Sequence, residues 1–278
     1  MLRYMFPYGW AGIVIIASAE WVLFQRNSFI SIYCTPVMWT GYILLADNIV
    51  YRRLGDSILI RNRWRVLLIA LVSVLSWLIF EGYNVLLRNW HYINLPDNRF
   101  LRYSGYFWSF ATITPGILVT ADILRAYDVF GTARIRPLKL SKKSLWIIII
   151  LSAGGSLYPL LFPNNYLFPL VWVSFIFLID PIVYLMDGKS LIQELMNGNP
   201  QTPYRLLLAG FICGILWEFW NYWAGTKWVY TVPYFPEYKL FEMPIAGFLG
   251  FPPFAIECYV LYQLFKELLK KVNIFVFY

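Results

Sequence analysis

Long apolar runs separated by short polar stretches dominate the chain. At 1.5 Å per residue, about twenty apolar residues cross the roughly 30 Å hydrocarbon core of a bilayer. Eight segments approach or meet that length, at 10–24, 31–51, 66–87, 106–124, 145–162, 166–185, 204–223 and 244–265. None alternates polar and apolar positions as a membrane β-strand would. Backbone groups in lipid must then be satisfied within each segment, which predicts helices. The predicted class is all-α: a polytopic integral membrane protein with eight transmembrane helices.

Composition sharpens this. Of the 278 residues, 60% are hydrophobic and 14% charged, roughly half the charged share of a soluble domain. The formal charge of +8 comes from basic residues lying between apolar runs, so it speaks for orientation in a membrane, and no nucleic-acid partner is expected. The N-terminus, the second, fourth and sixth loops, Arg205 at the edge of the seventh segment and the C-terminus hold 17 of the 23 Lys and Arg residues. The positive-inside rule places both termini in the cytoplasm, with the chain in a bacterial inner membrane. The first run follows a single basic residue, Arg3, and further spans come after it, so it is expected to stay as a helix. The aromatic loops NWHYINLP and KWVYTVPYFPEY then face outward, where Trp and Tyr normally form an interfacial belt.

The chain also resembles itself. Pro36, Trp39, Asp47, Ile49, Val50, Tyr51, Gly55 and Ser57 recur 133 positions later as Pro169, Trp172, Asp180, Ile182, Val183, Tyr184, Gly188 and Ser190. Glu81, Asn84, Pro96 and Pro115 recur at an offset of 137 as Glu218, Asn221, Pro233 and Pro252. Two four-helix units, 1–135 and 136–278, are therefore expected. An even number of spans per unit makes the repeats parallel, related by an axis along the membrane normal. A cavity between them would be lined by both copies of an inward-facing residue.

Ionisable groups inside spans are costly and usually face a bundle interior or cavity. Glu81 and Asn84 share a helix face with Trp77, and Glu218 and Asn221 repeat the pair. Across the axis the two carboxylates would titrate together and retain a proton near neutrality, supplying a buried general acid. The alternative is structural: each Glu bonds a neighbouring helix or meets Arg88 or Lys227. Glu257 has Thr120 as its counterpart, so it breaks the symmetry; Pro252 and Pro253 before it are expected to open the helix ladder beside it. Glu242 is likewise unmatched. Asp47 and Asp180 lie near helix ends and are expected to be structural, pairing with Arg52, Arg53 or Lys189, with Gly55 and Gly188 suited to C-terminal caps. Glu20 and Asp122 are expected to be helix-packing groups.

His91 is the only histidine, which removes multi-histidine metal sites, and no metal is expected. Cys34, Cys213 and Cys258 lie far apart without CxxC spacing and are expected to pack. No nucleotide-binding loop, HExxH or aspartate-rich diphosphate signature occurs, so no cofactor is implied.

Trp228-Val229-Tyr230 followed by KLFEMPIAGFLGFPPFAIECYVLY resembles the carotenoid-type lycopene cyclases, duplicated membrane domains with Trp- and Tyr-rich outer loops. The likeness covers about forty residues per repeat. The family's paired Pro-x-Glu-Glu motif is absent: Pro253 is followed four residues later by the single Glu257. The resemblance implies cofactor-free protonation of a polyene by a carboxylic acid, with aromatic rings stabilising the carbocation. The expected function is chemistry on a lipid or isoprenoid in a cavity between the repeats. Glu81, Glu218 and Glu257 are the catalytic candidates, and Asn84, Asn221, Trp77, Trp217 and Trp220 the substrate-binding ones. A transporter or lipid flippase, and a non-catalytic scaffold, are the rivals.

Overall fold

The computed structural model describes residues 6–24 and 31–272. Its elements, in chain order, are α1 (Pro7–Phe24), α2 (Cys34–Leu54), α3 (Ile58–Arg61), α4 (Arg63–Leu87), β1 (Trp90–Ile93), α5 (Arg99–Ala126), α6 (Lys142–Leu161), α7 (Phe168–Leu185), α8 (Leu191–Met196), α9 (Gln201–Trp223), β2 (Lys227–Tyr230), β3 (Lys239–Leu240), β4 (Met243–Pro244) and α10 (Phe251–Lys271). Seven helices among the described residues are long and apolar enough to cross a membrane. Their outward faces agree: Leu67, Leu71, Leu75 and Leu78 on α4, and Ile147, Ile150, Leu151 and Leu161 on α6, are exposed. Each set recurs at helical spacing and makes a stripe suited to lipid rather than water.

The eighth expected span, α2, falls short on apolarity rather than length. It carries Asp47, Asn48, Arg52 and Arg53. It lies in the interior of the bundle, packed between α1 and α5, with Trp39, Asp47 and Asn48 fully buried. Close approach to α1 depends on two glycines: a Cβ on Gly12 would lie 2.6 Å from the Gly41 carbonyl oxygen, and one on Gly41 2.9 Å from that of Gly12. Small residues facing each other in this way let two helix backbones meet.

Asp47 and Asp180 are structural, though not through the expected basic residues. Asp47 accepts from the Leu59 amide at 3.0 Å and the Ser57 hydroxyl at 2.8 Å. Asp180 accepts from the Leu191 and Ile192 amides at 2.8 and 2.7 Å. Each carboxylate, sent across from a long helix, caps the N-terminus of the short helix that follows it. Gly55 ends α2 in the left-handed conformation with φ of 75°. After α7 the left-handed residue is Asp187 at 59°, not Gly188 as expected. Instead Gly188 makes room, since a Cβ there would lie 2.7 Å from Glu267 Cγ.

The two aligned prolines also part company. Pro115 lies inside the continuous 28-residue α5, whereas Pro252 and Pro253 occupy the first turn of α10, after a 3₁₀ helix at Ile245–Gly250. The first turn has no intrahelical N–H bonds to lose. The prolines therefore start this helix and open no ladder beside Glu257.

Candidate functional site

The aromatic loops pair as antiparallel strands, Trp90 with Tyr230, His91 with Val229, Tyr92 with Trp228 and Ile93 with Lys227. Alternation along a strand sends Trp90 and Tyr92 to one face, with Trp228 and Tyr230 beside them, and His91 to the other. All four rings line a cavity of about 170 Å³; His91 is exposed.

Asn84 and Asn221 build this arrangement. Asn84 Oδ1 accepts from the amides of Asn89 at 2.8 Å and Trp90 at 3.1 Å, and its Nδ2 donates to the Trp90 carbonyl at 2.9 Å. Asn221 makes the same bonds to Trp228, at 3.0 Å to its amide and 2.9 Å to its carbonyl. Each asparagine thus holds the backbone of the strand that follows its helix and satisfies polar groups that burial would otherwise strand. Neither orients a glutamate and neither lines the cavity.

The glutamates sit behind the tyrosines. Glu81 Oε1 accepts from Trp77 Nε1 at 2.9 Å, Trp90 Nε1 at 3.1 Å and the Tyr92 hydroxyl at 2.5 Å. Glu218, fully buried, accepts from the Tyr230 hydroxyl at 2.9 Å, and that hydroxyl receives Trp228 Nε1 at 2.8 Å. Burial pushes the Tyr92 and Tyr230 phenols well above their ordinary range, and the carboxylate beside each adds to the effect. Both hydroxyls stay protonated at neutral pH. Among the described residues no hydrogen bond joins the two carboxylates, so the expected shared-proton dyad is replaced by two separate tyrosine–carboxyl pairs. Lys227 meets Glu242 instead of Glu218.

The cavity walls are apolar and aromatic. Trp77 and Trp217 line it as expected. Phe254 forms its floor, with ring centroids 5.6 Å from Trp77, 5.7 Å from Phe80 and 6.1 Å from Trp217. Trp220 lies elsewhere, 5.3 Å from Trp39, and donates to Glu20 at 3.2 Å. Glu257 is three residues, about one turn, beyond Phe254 on α10. It is fully buried, and neither of its carboxyl oxygens has a hydrogen-bond partner. Cys34, Cys213 and Cys258 are buried free thiols.

The tyrosine pairs escape residue-type reasoning because a tyrosine in an outer loop reads as a belt residue. A signal exists in retrospect: Trp-x-Tyr occurs at 90–92 and again at 228–230, with period-two spacing. No family model, curated protein or solved structure matches the chain.

Proposed function

We propose that this multi-pass membrane protein takes the apolar part of a lipid or isoprenoid into the cavity beneath the paired strands. Tyr92–Glu81 and Tyr230–Glu218 are its proton-handling groups. The observation that carries this reading is that each cavity-lining tyrosine donates its hydroxyl to a glutamate embedded in a helix. When the glutamate is protonated the bond can reverse: the carboxylic acid donates to the phenol oxygen and frees the phenol proton to face the cavity. Transfer of that proton to a substrate double bond leaves a carbocation, and the glutamate proton replaces the one lost by tyrosine. Trp77, Trp90, Trp217 and Trp228 then offer aromatic faces to the cation. The resemblance to carotenoid-type cyclases points the same way.

The same proposal includes an origin in tandem duplication, with units 1–135 and 136–278 and α2 as an eighth span. Its support is the matched bonding of Asn84 with Asn221, Glu81 with Glu218 and Asp47 with Asp180. It also includes insertion in a bacterial inner membrane with the basic loops towards the cytoplasm.

Lipid extraction and mass spectrometry of cells expressing the protein, beside cells expressing Glu81→Gln with Glu218→Gln at matched membrane levels, test it. A lipid whose mass changes only with the unmodified protein supports chemistry. An unaltered lipid co-purifying with both proteins replaces chemistry by transport or binding, and no associated lipid at all leaves the scaffold.

A further inference from the structure

A second cavity, of about 120 Å³, lies at the end of the bundle away from the strands, between α4, α5, α9 and α10. Three arginines from three helices line it: Arg65 at the start of α4, Arg125 at the end of α5 and Arg205 near the start of α9. Among the described residues, Asp122 is the one carboxylate that lines it. We infer that this cavity binds a phosphate group.

In each arginine, Nε is used to hold the side chain in place. Arg65 Nε donates to the Tyr262 hydroxyl at 3.1 Å, Arg125 Nε to Asp122 at 3.0 Å and Arg205 Nε to the Val129 carbonyl at 2.8 Å. The terminal nitrogens make no hydrogen bond among the described residues. Arg205 has Asp128 at 3.7 Å, on a side chain 80% exposed. Three oriented guanidinium groups with free N–H donors match the oxygens of a phosphate, which arginine binds through paired hydrogen bonds. Tyr262 accepts from Arg65, so its own proton is free to donate, and Gln263 adds a neutral amide to the wall.

Charge supports the same ligand. Glu194, held by Thr202, is a further carboxylate within electrostatic reach of Arg205, and Lys266 lies within reach of Arg65. Among the residues that line the cavity, three arginines face the single carboxylate of Asp122. Arg205 is only 8% exposed and Arg65 is partly buried, while Arg125 stands exposed at the mouth. Holding the Arg205 charge out of solvent without an anion is costly. The cavity has room for a group of phosphate size. Arg205 and Trp217 are twelve residues apart on α9, roughly 18 Å, so this site stands independently of the aromatic cavity.

The phosphate belongs either to a lipid headgroup, since helix ends lie at headgroup level, or to a small soluble anion. The test uses the whole protein purified in a neutral, phosphate-free detergent. Radiolabelled inorganic phosphate and a short-chain phosphatidic acid are titrated separately, with the matching diacylglycerol as the uncharged control. Saturable binding of either phosphate compound is expected, weakened about tenfold or more by Arg65→Gln and by Arg125→Gln, as loss of a charge-assisted contact implies. Arg125 bonds only to its own helix, so its variant separates binding from folding. Saturation by inorganic phosphate identifies a soluble anion, and saturation by phosphatidic acid alone a headgroup. Absence of saturation with both, or binding unchanged in both variants, overturns the proposal.

Discussion

Tyr92 stands directly across the strand pair from Trp228, as Trp90 does from Tyr230, so each tyrosine that serves a buried glutamate has the other segment's tryptophan beside it. The pairing makes the two proton-handling groups one structural unit. Loss of either strand's anchor should therefore disturb both.

Asn84→Ala leaves the Trp90 amide and carbonyl without the partners described above. A loss of about 1–3 kcal/mol is expected for exposing unmet buried polar groups, read as a lower midpoint in thermal unfolding of the detergent-solubilised protein. Asn221→Ala should behave alike. An unchanged midpoint in both would show that the strands hold without them.

Tyr92→Phe and Tyr230→Phe keep the ring and remove only the hydroxyl. Lipid retention should survive while any lipid conversion falls, by about 10²-fold or more if proton transfer is lost. Co-purified lipid and its product, quantified in the same extracts, separate the two effects. Equal loss of lipid and product would mean that the hydroxyls shape the cavity instead.

Glu257→Gln removes a buried carboxyl whose two oxygens have no hydrogen-bond partner. Such a group costs stability, so the variant should unfold at the same or a higher temperature, and Glu257→Leu at a higher one still. A drop of several degrees in both would reveal a stabilising role that the structure does not contain.

Asp180→Ala should free the start of α8. The expected cost is about 0.5–2 kcal/mol, the usual range for a lost N-cap, with faster hydrogen exchange confined to residues 191–196. Slow exchange there would refute the capping role.

At Gly250, a Cβ would lie 2.0 Å from the Trp172 ring, and Trp172 lines the aromatic cavity. Gly250→Ala should displace that ring at a cost of about 1–3 kcal/mol and weaken lipid retention. Gly82→Ala, where a Cβ would meet nothing within 4 Å, is the neutral control.

Helical class was legible in the sequence because hydrocarbon leaves backbone groups no partner outside their own segment, and length with apolarity then marks most of the long helices. The embedded Glu81 and Glu218 and the asparagines one turn on were legible too, since polar residues stand out in apolar runs. Their partners were not. A glutamate's donor and an asparagine's target come from strands that leave the helix and return, and only the folded backbone brings Tyr92 to Glu81 or Trp228 to Asn221. The expected meeting of the two carboxylates failed for the same reason: shared helix position fixes depth and face, whereas the strand pair decides which groups meet between the helices. The arginine-lined cavity lay furthest from sequence, because Arg65, Arg125 and Arg205 sit in three separate loops or helix ends. Local pattern carries each residue's cost in the membrane, and tertiary contact alone decides what offsets it.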